Sequence, residues 1–419
     1  MELVAIIIAF LGVVAVFCIF FIRRHVLEYH IEHTYSVEDP AFFGSALALA
    51  DPVALPGNKI DLLIDGNAYF PAMLAAIHGA RRTINFEAYI LYSDSVGHAF
   101  RDALIERAQA GVKVRVLLDG LGSSWHLNNS DVAMMKEAGC RFSYYHPLFS
   151  WRVDRTNRRS HRRILVVDGR LGFTGGVGFA EQWSGHAQDP KHWHDLQVRM
   201  EGPLVSELQQ AFEQHWIKTG NETLHGPDQF PALAPAGTIK GQLIVSHSFS
   251  MAPMPLTQAV AFAAATKRIW ITNAYCAPSG DQVELLVKAV QRGVDVRLML
   301  PGEHNDQPLT KSAGRSAYGR LLEGGVKIFE YQPTMIHTKG MVVDGLFSLI
   351  GSSNLDPRSS EINEELDLAL YDRELGKRME AIFEDDLKHS SPYTLEQFRK
   401  RSLWERFTEW ITIPFRSQL

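Results

Sequence analysis

The sequence predicts two similar α/β domains, each built on a largely buried sheet, behind a membrane-spanning segment. Three observations carry this. The 419 residues and 46% apolar content exceed what one hydrophobic core organises. A long stretch of the first half is echoed in the second. Short runs of Val, Ile and Leu alternate with amphipathic segments, the pattern of buried strands covered by helices.

The N-terminal element comes first. Leu3 to Ile22 is an unbroken run of apolar and glycine residues, followed at once by Arg23 and Arg24. That length spans a bilayer. The acidic start Met1-Glu2 and the bulky residues from Phe17 to Phe21 do not suit a cleaved signal peptide, so an uncleaved anchor is expected over residues 1–24. The two arginines place the remainder of the chain in the cytoplasm.

The repeat follows. Arg82-Thr-Ile-Asn-Phe-Glu-Ala-Tyr-Ile90 is echoed by Lys267-Arg-Ile-Trp-Ile-Thr-Asn-Ala-Tyr275, and Ala110 to Gly120 by Arg292 to Gly302. Between them lie helical patterns at Ala99 to Gln109 and Gln282 to Arg292, so each half reads strand, helix, strand. The Gly- and Pro-rich stretch 220–237 has linker composition, which puts the boundary near residue 232. The expected units are 25–232 and 233–398, with a C-terminal amphipathic segment at 399–419.

The third repeated element carries the chemistry. Ser160-His161-Arg162-Arg163 leads into Asp168, and Ile336-His337-Thr338-Lys339 leads into Asp344, so both fit His-x-(Lys/Arg)-x4-Asp. On a strand, residues two apart project from one face, so His161 with Arg163, and His337 with Lys339, present an imidazole beside a cation. That pair suits a phosphodiester: the cation neutralises a non-bridging oxygen while the imidazole attacks phosphorus or moves a proton. A lone motif of this kind matches by chance, but two at equivalent points of a repeat do not.

On these residues the chain resembles the phospholipase D superfamily, from about residue 60 to about residue 385. The resemblance implies a mixed sheet flanked by helices in each half, a pseudo-twofold axis and one shared active site. It implies His161 as nucleophile and His337 as general acid and base, although the residues alone leave the two interchangeable. Arg163, Lys339, Asp168 and Asp344 complete the catalytic set, with Ser352 and Asn354 binding or orienting substrate. A carboxylate should hold each imidazole's far nitrogen. The expected ones lie downstream of each motif, Asp195 in the first half and Glu365 in the second. Two residues depart from the family pattern: Arg163 stands for lysine, and Gly178 stands where the second half has Asn354, so the first half should lack one polar contact.

The three cysteines, Cys18, Cys140 and Cys276, have no metal or redox spacing. The histidines His186, His192 and His194 lack a clear third and fourth ligand set, and no metal or other cofactor is expected. Arg152 to Arg163 carries six arginines against one aspartate and reads as a funnel for an anionic substrate. A net charge of −5 gives no global attraction to nucleic acid.

Lipid is the expected substrate. The anchor points to it, as does the stretch Arg399 to Arg416, where Leu403, Phe407, Trp410 and Ile411 recur at helical spacing beside basic residues. Such a helix either lies in the membrane interface or packs on the enzyme's own core. The phrases Gly57 to Gly66, Phe86 to Ile90, Gly351 to Ser359 and Asn363-Glu364-Glu365 are similar to bacterial cardiolipin synthases of the phospholipase D type. That resemblance implies phosphatidyl transfer from phosphatidylglycerol at the bacterial cell membrane, with no protein partner required. Hydrolysis to phosphatidic acid and an inactive lipid-binding protein are the alternative readings.

Overall fold

The computed structural model describes residues 31, 33–48, 54–147, 157–246 and 253–412. The predicted span Leu3–Ile22 lies outside them. Among the described residues no helix is long and apolar enough to cross a membrane.

Each half folds as the repeat requires. The first supplies β1 (Leu55–Ile64), β2 (Thr83–Ala88), β3 (Lys113–Asp119), β4 (Arg141–Tyr145), β5 (Ile164–Val167), β6 (Leu171–Gly175) and β7 (Leu196–Glu201). The second supplies β8 (Ile239–Val245), β9 (Arg268–Asn273), β10 (Asp295–Pro301), β11 (Lys327–Tyr331), β12 (Lys339–Val343), β13 (Phe347–Gly351), β14 (Leu366–Tyr371) and β15 (Ser390–Tyr393). The two sheets are one. Strand order runs β15-β11-β10-β9-β12-β13-β14-β8-β1-β7-β6-β5-β2-β3-β4, and from the β8–β1 seam outward the two halves repeat the same order, with β15 added at one edge.

The sheet is mixed. Strands β2, β3 and β4 pair in parallel, as do β9, β10 and β11, while β5 and β12 run antiparallel to β2 and β9. The parallel pairs need helical crossovers. The helix Ser95–Gln109 joins β2 to β3, capped by Asp94 accepting from Gly97 N–H, and Gly280–Gln291 joins β9 to β10 behind a Ser279 capping box.

One apolar cluster runs across both halves. It takes Leu196, Val198, Phe212 and Trp216 from the first and Trp270, Val342, Leu366 and Phe383 from the second. This shared core fixes the two motif strands β5 and β12 relative to each other, because interiors packed to crystal-like density do not slide.

Candidate active site

The motif histidines immediately precede β5 and β12, and both are buried. Each motif strand is tied laterally to the other half. The N–H of His161 donates to the carbonyl of Glu364 (2.9 Å), and the N–H of Glu364 to that of Arg159 (2.9 Å). On the other side the N–H of His337 donates to the carbonyl of His194 (2.7 Å), and the N–H of His194 to that of Met335 (2.9 Å). These short ladders put the residue after Glu364 and the residue after His194 beside the imidazoles.

Those residues are Glu365 and Asp195, and their pairing crosses the halves. His161 Nδ1 lies 2.9 Å from Glu365 Oε2, and His337 Nδ1 lies 2.7 Å from Asp195 Oδ2. The two carboxylates foreseen from the sequence are therefore present, but each serves the histidine of the opposite half. Burial opposes the charge of Glu365 and Asp195, yet His161 holds the first and His337 the second below the usual carboxylate range. Ser352 and Ser359 hydroxyls donate to Glu365, and the Trp183 indole N–H donates to Asp195 (3.0 Å). Ser352 thus orients a carboxylate.

The opposite ring nitrogens meet the cations. Arg163 Nη2 lies 2.9 Å from His161 Nε2, and Lys339 Nζ lies 2.9 Å from His337 Nε2 and 3.0 Å from its Nδ1, the nitrogen that Asp195 holds. A carboxylate on Nδ1 and a cation on Nε2 select the tautomer with its proton on Nδ1 and a lone pair on Nε2. Burial, reinforced by Arg163, pushes His161 down to about 4, and burial with Lys339 pushes His337 down to about 3. Burial also lowers Lys339 to about 7.

Both histidines line one cavity of about 380 Å³, together with Arg163 and Asn354. The buried Asn354 Oδ1 has no hydrogen-bond partner among the described residues, so an amide oxygen stands ready beside the site. Two tyrosines escaped the sequence reading. Tyr89 packs edge-on against His161 (5.2 Å between centroids) and Tyr275 against His337 (6.0 Å). A signal was available, since an Ala-Tyr pair stands near the end of each copy of the first repeated element, Ala88-Tyr89 and Ala274-Tyr275, one residue out of register.

Two expectations are corrected. Asp168 and Asp344 do not face the cavity. Asp168 and Gly169, like Asp344 and Gly345, have positive φ at the centre of tight hairpin turns, which favours an Asp-Gly pair. The Asp168 carboxylate accepts the N–H groups of Arg81, Arg82 and Thr83, and Asp344 accepts those of Thr266, Lys267 and Arg268. These aspartates fasten the motif hairpin to the start of β2 or β9.

The arginine run is not a simple funnel. Arg159 and Arg162 are fully buried: Arg159 pairs with Asp119, and Arg162 donates to the carbonyls of Ala211 and Ser246. Arg152 and Arg155 lie outside the described residues. Arg163 faces the cavity, and Arg358, unforeseen, joins it.

Gly178 carries no amide to match Asn354, and a ring takes up the space where its side chain would stand. A Cβ there would stand 2.7 Å from the Trp183 ring, whose indole supplies the N–H contact to Asp195. The histidines considered for a metal are separately engaged. His194 sits between Asp65 (2.8 Å) and Asp386 (3.1 Å), His192 beside Asp189 (2.9 Å) and His186 beside Asn67 (3.4 Å). Burial works against a charge on His194, but Asp386 and Asp65 outweigh it and raise the group to about 10.

The family described as "Cardiolipin synthase, PLD-like domain" matches residues 73–216 and 260–387. The chain is 34% identical over 358 residues to cardiolipin synthase 1 of Bacillus anthracis, covering 83% of this chain and 70% of that protein. It is 32% identical over 363 residues to the cardiolipin synthase of Clostridium perfringens strain 13, covering 85% and 76%. Phosphatidylserine synthase of Haemophilus influenzae Rd KW20 shares the fold with a TM-score of 0.61 at 14% identity, covering 84% of this chain and 91% of that one. Polyphosphate kinase of Porphyromonas gingivalis does so with a TM-score of 0.56 at 11% identity, covering 94% and 57%. By sequence over most of its length, and by a fold that brings both repeated motifs to one cavity, the chain belongs to the cardiolipin synthase family of phospholipase D-like proteins.

Proposed function

We propose that this protein is a phosphatidyltransferase that makes cardiolipin from phosphatidylglycerol through a covalent phosphatidyl-histidine. One observation carries the reading: two carboxylate–histidine–cation sets are crossed between the halves, and both histidines line one cavity. The names of the relatives support it.

His161 Nε2 attacks the phosphorus of the donor lipid. Arg163 and Lys339 shift from the imidazoles onto the non-bridging oxygens, where they meet the charge of the transition state. Anion binding offsets those cations and lets His337 take a proton, which it delivers to the departing glycerol oxygen as the P–O bond breaks. The hydroxyl of a second phosphatidylglycerol then gives its proton to His337 and attacks phosphorus, the N–P bond breaks, and His161 is restored. Two phosphatidylglycerols give cardiolipin and glycerol, and no nucleotide is consumed.

In this reading residues 25–232 and 233–398 are the two phospholipase D-like domains, and 1–24 anchors them on the cytoplasmic face of the bacterial cell membrane. The helix Leu403–Thr412 supports contact with lipid: Leu403, Trp404, Phe407, Trp410 and Ile411 are exposed, while Glu409 and Thr412 are buried. Its polar residues pack inward, with Arg315 on Glu405 and Ser312 on Thr408.

Mass spectrometry of lipids after incubating purified protein with phosphatidylglycerol vesicles tests the function. Cardiolipin with equimolar glycerol is expected. Phosphatidic acid as the main product would make the enzyme a hydrolase, and unchanged lipid would make it a binding protein.

A further inference from the structure

The reaction has two anionic substrates, and the second raises a charge problem. The acceptor lipid carries its own phosphodiester, one glycerol away from the hydroxyl that attacks. As the new bond forms, two phosphates share one cavity and repel each other. Arg163 and Lys339 are committed to the phosphorus under attack, since each touches a motif histidine.

A further guanidinium lines the same cavity. Arg358 follows Asn354 by four residues, in the short helix Pro357–Glu361, and is half-buried. It donates to the carbonyl of Asn157 (3.2 Å), four residues before His161, so it reaches from the second half onto the first. Arg358 and Arg163 both act electrostatically on the hydroxyl of Tyr89, the ring packed on His161. Arg358 therefore stands beside the histidine that would carry the phosphatidyl group.

Two carboxylates line the cavity, Asp306 and Asp356, and Arg358 acts electrostatically on the second. Asp306 accepts the Tyr275 hydroxyl (2.7 Å), on the His337 side. Asp356 accepts the N–H of Ser359 (2.7 Å). A phosphodiester approaching from outside meets negative charge beside Tyr275 and positive charge beside Tyr89. A guanidinium fork matches two phosphate oxygens and is the side chain suited to hold such a group in register.

We propose that Arg358 binds the phosphate of the acceptor phospholipid and so sets the choice between lipid hydroxyl and water. This rests on the transferase reading above. Free glycerol brings a hydroxyl without a phosphate, and it separates binding of the acceptor's charge from the chemistry of transfer.

The test compares full-length wild type with Arg358→Gln and Arg358→Lys on phosphatidylglycerol vesicles containing labelled free glycerol. Three products are read: cardiolipin, phosphatidic acid and labelled phosphatidylglycerol formed by glycerol exchange. A lost charge-assisted contact should lower cardiolipin relative to glycerol exchange about tenfold in Arg358→Gln. The ratio of phosphatidic acid to cardiolipin should rise in step, and Arg358→Lys should restore part of the loss. Parallel loss of all three products would give Arg358 to the donor or to the architecture and overturn the assignment. Unchanged ratios would overturn it too. If wild type makes no cardiolipin, the functional reading falls and the acceptor assignment falls with it; if only the variants behave like wild type, the functional reading stands alone.

Discussion

Glu365 Oε2 lies 2.9 Å from Nδ1 of His161, a histidine 204 residues earlier and in the other half of the chain. Asp195 stands in the same relation to His337. The crossing makes a directional prediction. Glu365→Gln should disable the proposed nucleophile, and Asp195→Asn the proposed acid and base, each by about 10²–10⁴-fold in turnover. With a donor whose leaving group needs no proton, such as a nitrophenyl phosphodiester, Asp195→Asn should still form the covalent adduct and accumulate it on His161. Glu365→Gln should not. Acid-sparing quench and peptide mass spectrometry read the adduct, and an adduct on His337 would reverse the roles.

Gly178→Ala should displace Trp183, because its Cβ would stand 2.7 Å from that ring. Overpacking of this kind costs about 1–3 kcal/mol, and thermal unfolding measures it. Turnover should fall further than stability alone requires, since Trp183 also donates to Asp195. A variant with unchanged Tm and unchanged turnover would show that the ring moves aside freely.

The pH dependence follows from the free enzyme's charges. With His161 pushed down to about 4 and His337 to about 3, both imidazoles stay neutral above about pH 5. Lys339, lowered to about 7, is charged below that pH and neutral above it. Because the transition state holds a proton that free His337 lacks, kcat/KM should decline with rising pH, and the decline should steepen into a second limb near pH 7 as the phosphate loses a cation. Lys339→Arg should carry that limb upward by one pH unit or more, because guanidinium does not titrate there. A limb that stays in place would assign it to another group.

The exposed face of the C-terminal helix should bind lipid. Replacing Trp404, Phe407 and Trp410 together with serine removes apolar area already in solvent, so Tm should change little. In a form lacking residues 1–24, co-sedimentation with anionic vesicles should drop by tenfold or more. Equal sedimentation of the two forms would remove this helix from the membrane contact.

The repeat made much of the fold readable. A period-2 apolar strand and an amphipathic helix each announce themselves within a few residues, and so does an imidazole two residues from a cation. The helices at Ser95–Gln109 and Gly280–Gln291 lie close to the ranges their spacing predicts. The partnership of Glu365 with His161 was not readable, because only the fold decides which half supplies a neighbour. Burial misled as well. Arg159 and Arg162 look like a solvated cluster, yet each carries its charge into the interior to satisfy Asp119 or backbone carbonyls. Asp168 and Asp344 belong to the motif by spacing, but their geometry is that of turn residues.

The seam between β8 and β1 has an evolutionary reading. A half-length chain with one motif and one downstream carboxylate cannot orient its own histidine, but two copies meeting about a twofold axis would orient each other's. Joining them in one polypeptide removes the symmetry constraint and lets the copies drift separately. They have done so: arginine faces lysine at 163 and 339, and glycine under a tryptophan faces asparagine at 178 and 354. A symmetric site treats its two histidines alike, whereas a nucleophile and a proton carrier need different surroundings. In the proposed roles, the differences between the halves would supply those different surroundings.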